Sequence, residues 1–215
     1  MSDDFVPTPT DVRVLAVLAE KEQLTPDNYP LSLNALVGGC NQLTSRDPVM
    51  TLSETEVHDA LQSLIASKVV AEVSQAGARV PKYEHRMRLR WTLEQDKLAA
   101  LTMLMLRGPQ TAAEVRSRAG RIHEFDTVAA AETALQFLID KYPPLVARLA
   151  RVPGAKEVRY AHLLSGESAE LDLAVGQAPA PRQDRVAQLE REVADLREEL
   201  ARLSQEFAEI RRLLE

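Results

Sequence analysis

The sequence predicts an α+β fold, mostly helical, in which one helix-and-hairpin pattern is built twice and a helical tail follows. Three observations carry that expectation. A capped amphipathic helix and two strand-like runs span Leu52 to Trp91. The same pattern returns from about Asp126 to Leu164, and a heptad repeat fills the C-terminus.

The first pattern opens with Ser53-Glu54-Thr55-Glu56, a capping box in which the Ser53 hydroxyl accepts from the Glu56 N–H and the Glu56 carboxylate reaches back. Val57, Ala60, Leu61, Leu64 and Ile65 then fall on one helical stripe. Val69 to Ser74 is rich in β-branched residues, and Gln75-Ala76-Gly77-Ala78 is turn material. From Lys82 to Trp91 the residues alternate as in a strand. Tyr83, His85, Met87, Leu89 and Trp91 share one face; Lys82, Glu84, Arg86, Arg88 and Arg90 share the other.

The repeat is legible residue by residue. Ala60-Leu61-Gln62-Ser63-Leu64-Ile65 recurs as Ala134-Leu135-Gln136-Phe137-Leu138-Ile139, and Lys82-Tyr83-Glu84-His85 recurs as Arg159-Tyr160-Ala161-His162. Leu145 to Arg151 supplies the intervening strand and Val152 to Lys156 a turn.

Each pattern is preceded by two helices. The first starts at Thr8-Pro9-Thr10-Asp11, with an N-cap, a proline at the first helical position and an acid in the first turn. Val12, Leu15, Ala16 and Ala19 form its stripe, widened by Val14 and Leu18. Leu33, Leu36, Val37 and Cys40 line up on the second, which makes Cys40 a small buried hydrophobe. The connection from Asn41 to Leu52, with Arg46-Asp47-Pro48 inside it, is longer than a DNA-reading helix-turn-helix corner requires.

In the second half Leu98, Leu101 and Met105 mark a helix that stops at Arg107-Gly108-Pro109. Thr111-Ala112-Ala113-Glu114 caps the next, with Val115 and Ala119 inward. The stripe of the third is Ala131, Ala134, Leu135, Leu138, Ile139 and Tyr142, ended by Pro143-Pro144. Two helices before a helix and a hairpin is the winged-helix order. The expected domains are therefore winged helices at 8–92 and 93–166, a linker at 167–184 with alternating alanine and proline, and a coiled coil at 185–215.

The coiled-coil seam is Val186, Leu189, Val193, Leu196, Leu200, Leu203, Phe207, Ile210 and Leu214, spaced alternately by three and four. With Val186 at position a, β-branched residues occupy early a positions and Leu fills most d positions, the choice that favours a parallel dimer. The g-to-e′ pairs Arg185–Glu190, Glu192–Arg197 and Glu206–Arg211 are attractive in that arrangement.

Composition bounds the function. The 215 residues are 45% hydrophobic but 4% aromatic, so the cores are made of Leu, Val and Ala. A net charge of −6 argues against a generic polyanion binder. One cysteine excludes an intrachain disulfide; the absence of a signal-like start or an apolar run of membrane length makes a cytoplasmic protein the expectation.

The runs Thr25-Pro26, Tyr29-Pro30-Leu31-Ser32, Cys40-Asn41-Gln42, Pro48-Val49-Met50, Leu52-Ser53-Glu54 and Lys82-Tyr83-Glu84 resemble the YceH-like family of bacterial proteins. So do Leu106-Arg107-Gly108, Gln110-Thr111, Arg116-Ser117-Arg118-Ala119 and Arg159-Tyr160-Ala161-His162-Leu163. The resemblance covers residues 10 to 166 and leaves out the linker and the tail. It implies tandem winged helices and no catalytic residues.

No constellation for chemistry stands out. His58, His85, His123 and His162 form no close ligand pairs with Cys40, so no metal site is expected. Gly38-Gly39 does not belong to a phosphate-binding loop, and no cofactor is expected. His85 and His162 fall at equivalent inward positions and read as satisfied core histidines. Phe137, off the stripe of its helix, is expected to pack against the first domain, the alternative being that it marks a partner surface.

Cations that could track phosphates or an acidic partner are Lys82, Arg86, Arg88 and Arg90 on the first hairpin, and Arg116, Arg118 and Arg121 in the second domain. Arg148, Arg151 and Arg159 lie on the second wing. The third helices carry Glu54, Glu56, Asp59, Gln62 and Ser63, and Glu132, Thr133, Gln136 and Asp140, faces that repel a DNA backbone. The function expected is thus a non-catalytic interaction or regulatory protein, with itself and an unidentified protein as partners, and no membrane. The alternative is a DNA-binding transcriptional or nucleoid-associated regulator that contacts phosphates through its wings.

Overall fold

Thr8 opens the first helix with a complete capping box: its hydroxyl accepts from Asp11 N–H at 3.1 Å, and the Asp11 carboxylate accepts from Thr8 N–H at 2.8 Å. The computed structural model describes residues 6–73, 80–150 and 157–165. They fall in one compact unit, Met1–Val175. In chain order the first copy holds α1 (Pro9–Leu24), β1 (Leu31–Ser32), α2 (Leu33–Cys40), α3 (Glu54–Ala66), β2 (Val70–Val73) and β3 (Lys82–His85). After α4 (Met87–Trp91), the second copy holds α5 (Gln95–Arg107), β4 (Gln110–Thr111), α6 (Ala112–Ala119), α7 (Val128–Ile139), β5 (Val146–Arg148) and β6 (Arg159–His162).

Both copies close the same small antiparallel sheet, with the last strand in the middle: β1-β3-β2 and β4-β6-β5. Leu31 pairs with Tyr83 and Val70 with His85; in the second copy Gln110 pairs with Tyr160 and Val146 with His162. The capping boxes at Ser53/Glu56 and Thr111/Glu114 form as the sequence predicts. Gly108, at φ +68°, ends α5 in a conformation that only glycine adopts without strain.

The copies pack through α1 and α5, and one hydrophobic core runs through both. That is why α1 is buried all round from Asp11 to Glu20 instead of along a single stripe. The long connection after α2 is fastened to the second copy by Asp47 N–H, which donates to Leu106 O at 2.9 Å.

Three sequence expectations change. The run from Lys82 to Trp91 is not one strand: β3 stops at His85 and α4 follows. Met87 and Trp91 are four apart and share the inward face of that helix, while Leu89 is left 79% exposed. The third helix of the second copy ends at Ile139, so Tyr142 lies beyond its stripe and is fully exposed. Phe137 is 40% exposed and packs within the second copy, with Lys97 Nζ 5.3 Å and Lys141 Nζ 5.1 Å from its ring centroid. The linker at 167–184, the heptad seam at 185–215, both predicted turns and Arg151 lie outside the described residues.

Candidate functional surfaces

The cations of the first copy do not form a strand face. Lys82 is half-buried in β3. Arg86 caps α4, exposed, with its guanidinium 3.7 Å from Glu84. Arg88 turns inward to Glu22 at 3.4 Å and to the Gln95 side-chain oxygen. Arg90 lies exposed near the end of α4.

In the second copy the arginines mostly serve the fold. Arg116 Nε donates to Phe125 O at 2.9 Å and Nη2 to Asp126 O at 3.0 Å, holding the segment that leads into α7. Arg118 donates to Gln110 Oε1 at 2.8 Å and to Glu114 at 3.2 Å. Gln110 is itself fully buried and donates to Met103 O at 2.8 Å, so Arg118 completes a buried amide. Arg159 donates to Pro109 O at 2.7 Å. Arg121 and Arg148 stay exposed.

The third helices present their acids. Glu54, Glu56, Asp59 and Gln62 are exposed on α3, where the Glu56 carboxyl is held below its ordinary value by the Ser53 N–H and hydroxyl. On α7 the exposed residues include Glu132, Thr133, Gln136 and Asp140, with Gln136 donating to Asp140 at 2.8 Å. Beside them stand Val128 and Phe137, apolar and partly exposed.

His85 is buried, its ring held at both nitrogens and its backbone by Tyr29. Nδ1 accepts from Met87 N–H at 3.3 Å, Nε2 lies 3.2 Å from Glu22 Oε2, and the backbone N–H donates to Tyr29 Oη at 2.8 Å. The imidazole beside it pulls the Glu22 carboxyl down to about 2 against the cost of burial. Cys40 is fully buried, and burial pushes its thiol up to about 12, far from a nucleophile's range. His162, at the equivalent of His85, is lowered to about 4 by burial, and its Nδ1 has no partner among the described residues. Among those residues no three His, Cys, Asp or Glu side chains converge as a metal site would require.

What sequence reasoning missed are two buried arginines. Arg46 donates to Glu20 through both Nη atoms, to Gly39 O at 3.2 Å, to Ser45 O at 2.9 Å and to Gln42 Oε1 at 2.9 Å. Arg13 donates to Cys40 O at 3.1 Å and to Pro48 O at 2.6 Å. An arginine at a helix start or in a loop carries no local mark of burial: the carboxylate that pairs with Arg46 lies 26 residues away, and the carbonyls that hold Arg13 lie 27 and 35 residues away.

A twice-built helix-and-sheet architecture, with its acids outward on the third helices and several of its described arginines engaged internally, defines an α+β protein of two repeated units. The chain belongs to the family described as "Protein of unknown function, DUF480", which matches residues 8–155. It is 67% identical over 187 residues to a UPF0502 protein of Janthinobacterium sp. strain Marseille, covering 85% of this chain and 80% of the relative. It is 66% identical over 189 residues to one from Herminiimonas arsenicoxydans, covering 85% and 79%. A third, from Aliivibrio fischeri strain MJ11, is 42% identical over 195 residues, covering 86% and 89%. Among the described residues no helix is long and apolar enough to cross a membrane.

Proposed function

We propose that the chain is a non-catalytic cytoplasmic interaction protein made of two tandem winged helices, self-associating through the heptad seam at 185–215. The element order of each copy, with two helices and a short strand before the third helix and hairpin, supports the winged-helix reading. The heptad pattern supports self-association.

One observation carries the choice of a protein partner: the helix that would enter a major groove, α3, exposes Glu54, Glu56 and Asp59 and no cation. Carboxylates facing the dense charge of DNA oppose binding most strongly at low salt. The exposed Arg86, Arg90, Arg121 and Arg148 favour the second reading, a regulator that touches phosphates outside the third helices.

Binding of a random duplex, followed by fluorescence anisotropy at low and moderate salt, separates the two. The interaction reading expects no saturable binding. Tight binding that weakens steeply with salt, and that falls when Arg86 and Arg90 are both replaced by Ala, overturns it. Sedimentation equilibrium of the full chain and of a chain ending at Asp184 tests self-association: a dimer that becomes a monomer is expected, and a full-length monomer removes that part of the reading.

A further inference from the structure

An open groove of about 370 Å³ lies where the end of α1, the connection after α2 and the segment after α6 meet. Lys21 enters its lining from the first copy and Arg121 from the second. Both can be reached from solvent: the Lys21 side chain is 18% exposed, and Arg121 is exposed. The Arg121 guanidinium makes no hydrogen bond or ion pair among the described residues. Thr44 and Ser45, both exposed, bring hydroxyls that have no partner among those residues either. Leu24 and Leu43 supply an apolar side, Leu43 being 82% exposed.

The described lining holds one carboxylate, Glu20, and its charge is already met. Arg46, itself fully buried, closes on both of its oxygens at 3.1 and 2.6 Å, and Lys21 Nζ stands 3.6 Å from Oε2. Two cations on one carboxylate leave positive charge over, and the excess continues inward. Burial first and Arg46 next push the Arg13 guanidinium below its ordinary value; burial, Arg118 and Arg46 do the same to Arg107. The carboxylates that oppose this at both sites are Glu20 and Asp47. Arg13, Arg46 and Arg107, with Lys21 and Arg121 at the rim, thus outnumber the acids that face them. In a chain of net charge −6 this is a local reversal of sign, and a groove lined by one sign of charge focuses its potential on an anion.

We propose that the groove binds a small phosphate monoester, its phosphate meeting Lys21, Arg121 and the Thr44 and Ser45 hydroxyls and its apolar body resting on Leu24 and Leu43. A monoester carries close to two negative charges near neutrality and three strong acceptor oxygens, which suits two cations and two hydroxyl donors. The planar guanidinium of Arg121 takes two of those oxygens at once, and Lys21 acts as a point charge. The volume falls within the range of about 300–1,000 Å³ usual for small-molecule sites. The net charge of the chain and the acids exposed on α3 and α7 oppose a long polyanion far more than a single phosphate group, so the source is a small molecule and not a duplex. Because Lys21 and Arg121 belong to different copies, the ligand bridges them and stabilises their packing in proportion to its occupancy.

Phenyl phosphate serves as the probe, with inorganic phosphate, phenol and a random DNA duplex as the other arms. Each is titrated into the full-length chain and followed by NMR at the Thr44 and Ser45 amides and the Arg121 Nε–H. The expected result is a saturable shift of all three signals with phenyl phosphate, weaker binding of inorganic phosphate and no response to phenol. Arg121→Gln, an exposed change that removes no contact of the fold, should weaken phenyl phosphate about tenfold or more at the two amides. Lys68→Gln, an exposed cation lost just beyond α3, should leave the affinity unchanged. Absence of a saturable shift, equal weakening by the two variants, or phenol or inorganic phosphate binding as tightly as phenyl phosphate overturns the proposal. So does a duplex that shifts the same signals at lower concentration than phenyl phosphate, which would make the groove part of a DNA surface.

Discussion

Arg46 reaches from the connection between α2 and α3 and closes on Glu20 of α1 through two parallel hydrogen bonds, Nη2 to Oε2 at 2.6 Å and Nη1 to Oε1 at 3.1 Å. Its Nε holds Gly39 O, and its side chain is fully buried. This one residue fixes a long connection against α1, and its hydrogen bonds offset the chain entropy that ordering the connection costs. Removing one partner leaves the other charge buried and unpaired. Arg46→Met should therefore cost about 3–5 kcal/mol in urea unfolding, and adding Glu20→Leu should restore part of it. Equal stability of the single variant and the parent would show that the pair is not the anchor it looks like.

Glu22 gives the structure a signature at acid pH. Its carboxyl sits at about 2 in the fold against an ordinary value of 4.5, because the His85 imidazole stands beside it. A depressed carboxylate contributes stability that is fully present above its ordinary value and is lost as pH falls through the folded one. The window is thus from about 4.5 down to about 2. Glu22→Gln should be about 1–2 kcal/mol less stable than the parent near neutrality, and the gap should shrink as the pH falls through that window. A gap that stays constant with pH would remove the His85–Glu22 assignment.

α1 and α2 approach each other at Gly39, where an added Cβ would stand 2.6 Å from Val17 Cγ1. Gly39→Ala should lower stability by about 1–3 kcal/mol through overpacking. Val17→Ala in the same chain should relieve the clash, so that the double variant loses less than the two single losses added together. Strict additivity in urea titrations would mean that the two side chains do not compete for the same space.

Cys40 should resist chemistry while the chain is folded. With its thiol pushed up to about 12 and no exposed surface, iodoacetamide should label it only as fast as the protein opens. Cys40→Ala should cost roughly 1–2 kcal/mol as the loss of a small buried group. Rapid stoichiometric labelling of the native chain would contradict the burial.

Sequence alone determined what depends on neighbours three or four residues apart. The capping boxes at Ser53 and Thr111, the glycine stop at Gly108 and the buried stripes of α3 and α6 all form where local spacing places them, because an α-helix satisfies its own backbone and exposes its periodicity. The doubling of the pattern was legible for the same reason. Tertiary structure decided the rest. Residues 87–91 fit a strand and a helix equally well, since Met87, Leu89 and Trp91 alternate while Met87 and Trp91 are also four apart; burial of Met87 against the core settled it as helix. β1 and β4, two residues each, exist only because β3 and β6 arrive beside them. Arg13, Glu20 and Arg46 became buried because α1 is packed by both copies, and their partners were supplied by segments distant in the chain. A charge carries no local sign of whether water or another chain segment will face it; only the assembled fold sets that.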